Sequence, residues 1–196
     1  MKKDNVNDFP SAGQLKAEIS HENYKNRYRR TFASTVSILV IVAAVAVLVA
    51  MLWVPVLEIF GQSMAPTLEQ DDIVLCLKTE KVEPGELVAF YFGNKLLVKR
   101  CIAVPGDVVV IDDEGNVTVN NVALDEPYVS EKSLGDSDIV YPYIVPQERY
   151  FLLGDHRQTS VDSRNTAIGC ISGDQLVGRV IFRVWPLKKI GRIGVG

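Results

Sequence analysis

Only two histidines and three cysteines occur in 196 residues. Three cysteines with no C-x-x-C pair exclude a disulfide scaffold and a thiolate zinc site. Cys76, Cys101 and Cys170 read as small buried apolar side chains, with one disulfide left open for a domain outside the cytoplasm. The histidines restrict imidazole chemistry to His21 and His156. No Walker-type phosphate loop and no dinucleotide glycine pattern is present. Basic charge is scarce after Leu57, where 14 basic residues face 20 acidic ones, which argues against nucleic acid as a partner. Charge of either sign is missing from Thr31 to Leu57, a run of 27 residues.

That uncharged run divides the chain. As a helix it would extend about 40 Å, more than the roughly 30 Å of a bilayer's hydrocarbon core. It exceeds the roughly 7–15 residues of a signal-peptide apolar region, so it reads as an uncleaved anchor. Residues 1–31 read as a polar tail, helical near Leu15 to Arg30, with seven basic residues against four acidic ones. Lys25, Arg27, Arg29 and Arg30 directly precede the run, and the positive-inside bias then leaves the N-terminus cytoplasmic and the rest outside. Trp53 suits the outer interface and Pro55 a helix end. The domains expected are a tail over 1–31, an anchor over 32–57 and an extracytoplasmic domain over 58–196.

Beyond Leu57 the pattern is strand-like. Ile73 to Leu77 is a buried run. Leu87 to Phe92 and Leu96 to Ala103 flank Gly93-Asn94 as a hairpin, and Val108 to Ile111 and Val117 to Val119 flank Asp112 to Asn116 as a second. Residues 124–146 read as an irregular excursion, Tyr150 to Leu153 as a strand and Leu176 to Val184 as the last strand. The C-terminal stretch mixes Trp185 with Lys188, Lys189 and Arg192, which suits a lipid interface. The expected fold is mainly β with Gly/Pro turns.

Three short stretches carry chemistry. The first is Gly61-Gln62-Ser63-Met64-Ala65-Pro66-Thr67-Leu68, a turn in which a serine hydroxyl can stand clear of a strand. The second, Lys99-Arg100-Cys101-Ile102-Ala103-Val104-Pro105-Gly106-Asp107, follows an apolar strand that can hold the Lys99 amine in dry surroundings. A free lysine has a pKa of about 10.4, and burial of the charge lowers it towards a useful base. The third runs from Gly154-Asp155-His156-Arg157 to Ser160-Val161-Asp162-Ser163-Arg164. By residue type alone, a Ser63/His156/Asp triad competes with Ser63/Lys99.

These stretches, in this order behind an apolar run, resemble the boxes of the type I signal peptidases, membrane-bound Ser/Lys proteases that remove signal peptides from exported proteins. The resemblance implies coiled antiparallel β-sheets with one N-terminal transmembrane helix. It implies Ser63 as nucleophile and Lys99 as general base, with Ser160 holding the Lys99 amine. It also implies Arg100 paired with Asp162, and an Asp162–Arg164 ion pair bracing the site. The Ser63 backbone N–H is the implied first oxyanion donor. Some relatives supply a second from a serine two residues earlier; here Gly61 stands there, and its backbone or a water is left. His156 departs from the common asparagine. The peptide would add as a strand between the segment before Ser63 and Leu96-Leu97-Val98-Lys99, with Met64, Leu68 and Leu97 around a pocket for a small residue. The implied partners are signal peptides of translocated preproteins and the lipid bilayer of the cell membrane. No metal or cofactor is implied, and nothing in the pattern sets an oligomeric state. The competing readings are a self-cleaving Ser/Lys peptidase and a non-catalytic, membrane-anchored peptide-binding β domain.

Overall fold

The structure is a computed structural model that describes residues 12–79 and 81–194. Helix α1 runs unbroken over Ala12–Trp53, so the polar tail and the apolar run share one helix of about 63 Å. Residues 1–11 of the expected tail lie outside the described residues, as does the Trp53 side chain. Described side chains all along α1 are exposed, with no polar stripe through the apolar part. One segment of it is long and apolar enough to cross a membrane. The helix does not reach Leu57. Pro55 bars the residue before it from helical torsions, and Val56–Glu58 form a strand, β1. The chain forms two compact units, Met1–Ala50 and Met51–Gly196.

The second unit is mainly β. Its larger sheet contains β1, β2 (Ile73–Leu77), β3 (Leu87–Phe92), β4 (Lys95–Ala103), β9 (Arg149–Leu153), β10 (Ile171–Ser172), β11 (Leu176–Trp185) and β12 (Gly191–Arg192). The strand order is β1-β2-β11-β3-β4-β9-β10, with β12 on β11, and every pairing is antiparallel. A smaller antiparallel sheet has the order β7-β6-β5-β8, from β5 (Val108–Ile111), β6 (Val117–Val119), β7 (Val122–Ala123) and β8 (Tyr143–Ile144). Both expected hairpins form. In the first, Phe92 pairs with Lys95, and Gly93 takes a positive φ of 57° at the leading turn position, where a Cβ would be strained.

β3 is buried on both faces, which explains its unbroken apolar sequence. Leu87 and Ala89 join one cluster with Ile59, Met64, Leu68, Val74, Cys76 and Val180. Val88 and Phe90 join another with Cys101, Tyr150, Leu152 and Ile171. Leu57 on β1 and Val98 on β4 both pack on the first cluster, although β2, β11 and β3 lie between their strands in the sheet. The sheet therefore curls, bringing its β1 edge round towards β4. All three cysteines are buried and free, so no disulfide is present. The C-terminal stretch folds back on the sheet: after a 3-10 turn at Leu187–Lys189, β12 pairs with Phe182 and Arg183 of β11. Lys189 is paired with Glu69 at 2.7 Å rather than standing free.

Candidate active site

The turn after β1 presents Ser63. Leu68 N–H bonds to the Met64 carbonyl at 2.8 Å, and Ala65 N–H to the Gln62 carbonyl at 3.0 Å. Met64 and Leu68 are buried on the apolar cluster beneath, which anchors the turn. Gly61 is exposed with φ of 87°, a torsion that suits a residue without Cβ. Pro66 follows a cis peptide bond.

Strand alternation sends Lys99 and Arg100 to opposite faces of β4. Lys99 is 3% exposed, and its Nζ donates to Ser63 Oγ at 2.6 Å. Burial lowers the pKa of the amine from 10.5 to about 8; Asp162 and Asp155 oppose the fall, and Arg164 assists it. An amine so placed is neutral in about a tenth of molecules at pH 7, against well under a thousandth for a free lysine.

Arg100 does not pair with Asp162, contrary to the expectation. Its Nε and Nη2 donate to the two oxygens of Asp155 at 2.9 and 2.7 Å. Nη1 donates to the Gly85 carbonyl at 2.7 Å. Asp162 is already engaged: Arg164 Nε and Nη2 reach it at 2.8 and 2.9 Å, and Gly154 N–H donates to it at 3.0 Å. Arg164 also donates to the carbonyls of Ser133, Leu134, Arg157 and Ser160, which stitches the excursion to the third box.

Ser160 does not hold the Lys99 amine in this structure. Its hydroxyl is buried without a hydrogen-bond partner among the described residues. It lies against Gly154, where a Cβ would come within 2.2 Å of Ser160 Oγ and 2.6 Å of the Ser63 carbonyl oxygen. His156 contributes through its backbone: its N–H donates to the Ser63 carbonyl at 3.1 Å. Its imidazole Nδ1 is 2.9 Å from Thr159 Oγ1, on the exposed side. His21 belongs to α1, in the other unit. Val98, not Leu97, shares the cluster of Met64 and Leu68; Leu97 packs on the opposite cluster with Phe90 and Cys101.

Four residues of this network carried no assigned role from sequence. Thr67 Oγ1 donates to Asp155 Oδ2 at 2.5 Å, so one carboxylate ties the serine turn to β4. Glu126 pairs with Arg157 at 2.5 Å, both nearly inaccessible to solvent. Asp155 was visible within the third box. Glu126 had no local signal, because its partner is 31 residues away.

A serine hydroxyl in contact with a buried amine of lowered pKa is an arrangement in which the amine can take the hydroxyl proton. The family described as "Signal peptidase, peptidase S26" matches residues 32–185. Signal peptidase IB of Staphylococcus aureus is 36% identical across 66% of this chain and 76% of its own length. A probable signal peptidase I-2 of Synechocystis is 34% identical across 67% of this chain and 63% of its own. A crystal structure of a signal peptidase I from Enterococcus faecalis aligns with 50% of this chain and 96% of that one, at 26% identity and a TM-score of 0.41. The chain belongs to the signal peptidase family, peptidase S26, and is a serine peptidase of the signal peptidase I type.

Proposed function

We propose that the chain is a single-pass membrane endopeptidase that removes signal peptides from translocated preproteins, cutting after small residues with Ser63 and Lys99. The observation that carries the reading is the 2.6 Å contact between Lys99 Nζ and Ser63 Oγ, made by an amine nearly shut off from water.

In the reaction, neutral Lys99 takes the Ser63 proton as Oγ attacks the scissile carbonyl. The Ser63 backbone N–H stabilises the oxyanion, with the backbone at Gly61 as second donor. The ammonium of Lys99 then gives its proton to the departing amine, leaving an acyl-serine. Water loses a proton to Lys99 as it attacks that ester, and the proton returns to Ser63 Oγ as the acyl bond breaks. Asp155, Arg100, Asp162 and Arg164 hold the backbone around the pair.

The substrate would bind as an added strand. β3 occupies one edge of β4 from Lys95 to Arg100, whereas β9 pairs only with Arg100 to Ala103, so the other edge at Lys95 to Lys99 has no strand on it among the described residues. Met64, Leu68 and Val98 supply an apolar floor beside Ser63, with Leu97 on the same strand. The apolar helix, preceded by Lys25, Arg27, Arg29 and Arg30, supports a plasma-membrane anchor with a cytoplasmic N-terminus and an extracytoplasmic catalytic unit. Exposed Phe60, Trp185, Leu187 and Ile190 support contact of that unit with lipid.

Detergent-solubilised protein incubated with a preprotein tests this. Wild type and His156→Ala should release mature product, while Ser63→Ala and Lys99→Ala should lower kcat/KM by at least about a thousandfold. Activity kept in Lys99→Ala but lost in His156→Ala would overturn the mechanism.

A further inference from the structure

Two side chains of the irregular excursion are set against the catalytic segments without a part in the reaction as written. Glu126 is 5% exposed and grips Arg157 through both carboxylate oxygens, at 2.5 and 3.3 Å. Arg157 Nε in turn donates to the Gly154 carbonyl at 3.0 Å. Gly154 immediately precedes Asp155, which holds Thr67 and Arg100, and His156, whose N–H holds the Ser63 carbonyl. Two positions along, the guanidinium of Arg100 sits over the ring of Tyr128, its carbon 3.8 Å from the ring centroid. The Tyr128 hydroxyl donates to Glu126 Oε1 at 3.4 Å, joining the two contacts. Arg100 follows Lys99 on β4 and is 1% exposed, its edges filled by Asp155 and Gly85 and its face by Tyr128.

Stability alone is a poor reason for such an arrangement. A buried ion pair gains little over an apolar filling of the same volume, because both charges lose their water. Its directionality is different. A planar guanidinium pinned at its edges and on its face has one orientation, and the backbone that carries it shares that constraint.

We propose that Glu126 and Tyr128 are positioning residues: through Arg157 and Arg100 they fix the backbones that carry Ser63 and Lys99 in register. The excursion over residues 124–146 is then a buttress of the active site. This rests on the Ser63/Lys99 reading above. It predicts that the Tyr128 ring face matters more than its hydroxyl, since the ring covers Arg100 and the hydroxyl bond is long.

The test uses full-length protein in detergent, with Tyr128→Phe, Tyr128→Leu and Glu126→Gln. Preprotein kinetics, thermal unfolding and the NMR titration of Lys99 in lysine-labelled protein are followed. The charged groups acting on that amine are Asp162, Arg164 and Asp155 of the third box, while Arg100, next to it on β4, faces the other side of the strand. Expected for Tyr128→Leu and Glu126→Gln is a kcat about tenfold lower with KM within about twofold. Tyr128→Phe should restore kcat to within about twofold of wild type. Opening the site should raise the Lys99 titration midpoint in Tyr128→Leu, since burial is what holds it down. Unchanged kcat in folded Tyr128→Leu and Glu126→Gln, or Tyr128→Phe as impaired as Tyr128→Leu, overturns the proposal. If wild type processes no preprotein, the peptidase reading fails, and the Lys99 midpoint decides alone: a shift in Tyr128→Leu supports the positioning role, and none overturns it. Should Tyr128→Leu not fold, Glu126→Gln carries the same readouts.

Discussion

Lys99→Met should destroy activity and yet stabilise the protein at pH 6. The native amine has a pKa of about 8 where the ordinary value is 10.5, because burial penalises the ammonium. At about 1.4 kcal/mol per pH unit, that fall corresponds to about 3 kcal/mol. Below pH 8 both the folded and the unfolded chain carry the proton, so the whole cost opposes folding. Between pH 8 and 10.5 the unfolded chain binds more protons than the folded one, and stability rises with pH; above that range the cost is gone. Methionine fills similar space without charge. It forfeits the hydrogen bond to Ser63 Oγ, worth about 1 kcal/mol. The net gain is about 2 kcal/mol at pH 6, or roughly 6 °C in Tm for a unit of this size. Scanning calorimetry of the detergent-solubilised wild type and variant at pH 6 and pH 10 reads it directly. The gain should shrink to nothing or turn slightly negative at pH 10. A variant less stable than wild type at pH 6, or equally stabilised at both pH values, would refute the claim that this site stores the cost of a buried ammonium.

Two other outcomes follow from the same geometry. The kcat/KM of the wild type should climb about tenfold per pH unit up to about pH 8 and then level off, because only neutral Lys99 accepts the Ser63 proton; a profile already flat well below pH 8 would refute that role for Lys99. Gly154→Ala places a methyl 2.2 Å from Ser160 Oγ and 2.6 Å from the Ser63 carbonyl. It should cost about 1–3 kcal/mol in stability and lower kcat at least tenfold, and a wild-type rate with unchanged Tm would show that the segment yields at no cost.

The strands that the pattern announces are those whose own residues settle their state. Leu87 to Phe92 and Val108 to Ile111 are continuous apolar runs ended by turn residues, and both appear as strands. The short pairings do not announce themselves. Val56–Glu58, Tyr143–Ile144 and Gly191–Arg192 are strands only because a neighbour offers an edge, and no periodicity fits in two or three residues. The end of α1 shows the same limit. Hydropathy continues to Leu57, but the pairing of Val56 to Glu58 with β2 takes those residues for the sheet.

In the site, the resemblance of three ordered boxes to a known family pointed to Ser63 and Lys99, and the structure sets their side chains 2.6 Å apart. The partner of Arg100 was decided by competition. Asp155 and Asp162 are both carboxylates in one box, and only the fold assigns Asp162 to Arg164 and leaves Asp155 for Arg100 and Thr67.

The amino-acid sequence by itself determined the uncharged half of the helix and the β character of the rest, because these depend on residue type and short-range periodicity, and the order of its three boxes singled out Ser63 and Lys99 as candidates. Only the tertiary structure decided the depth at which Lys99 is buried, which carboxylate faces which arginine, and that Glu126 and Tyr128 reach the site. Desolvation and ion pairing depend on distances between segments far apart in the chain, and no local pattern encodes those distances.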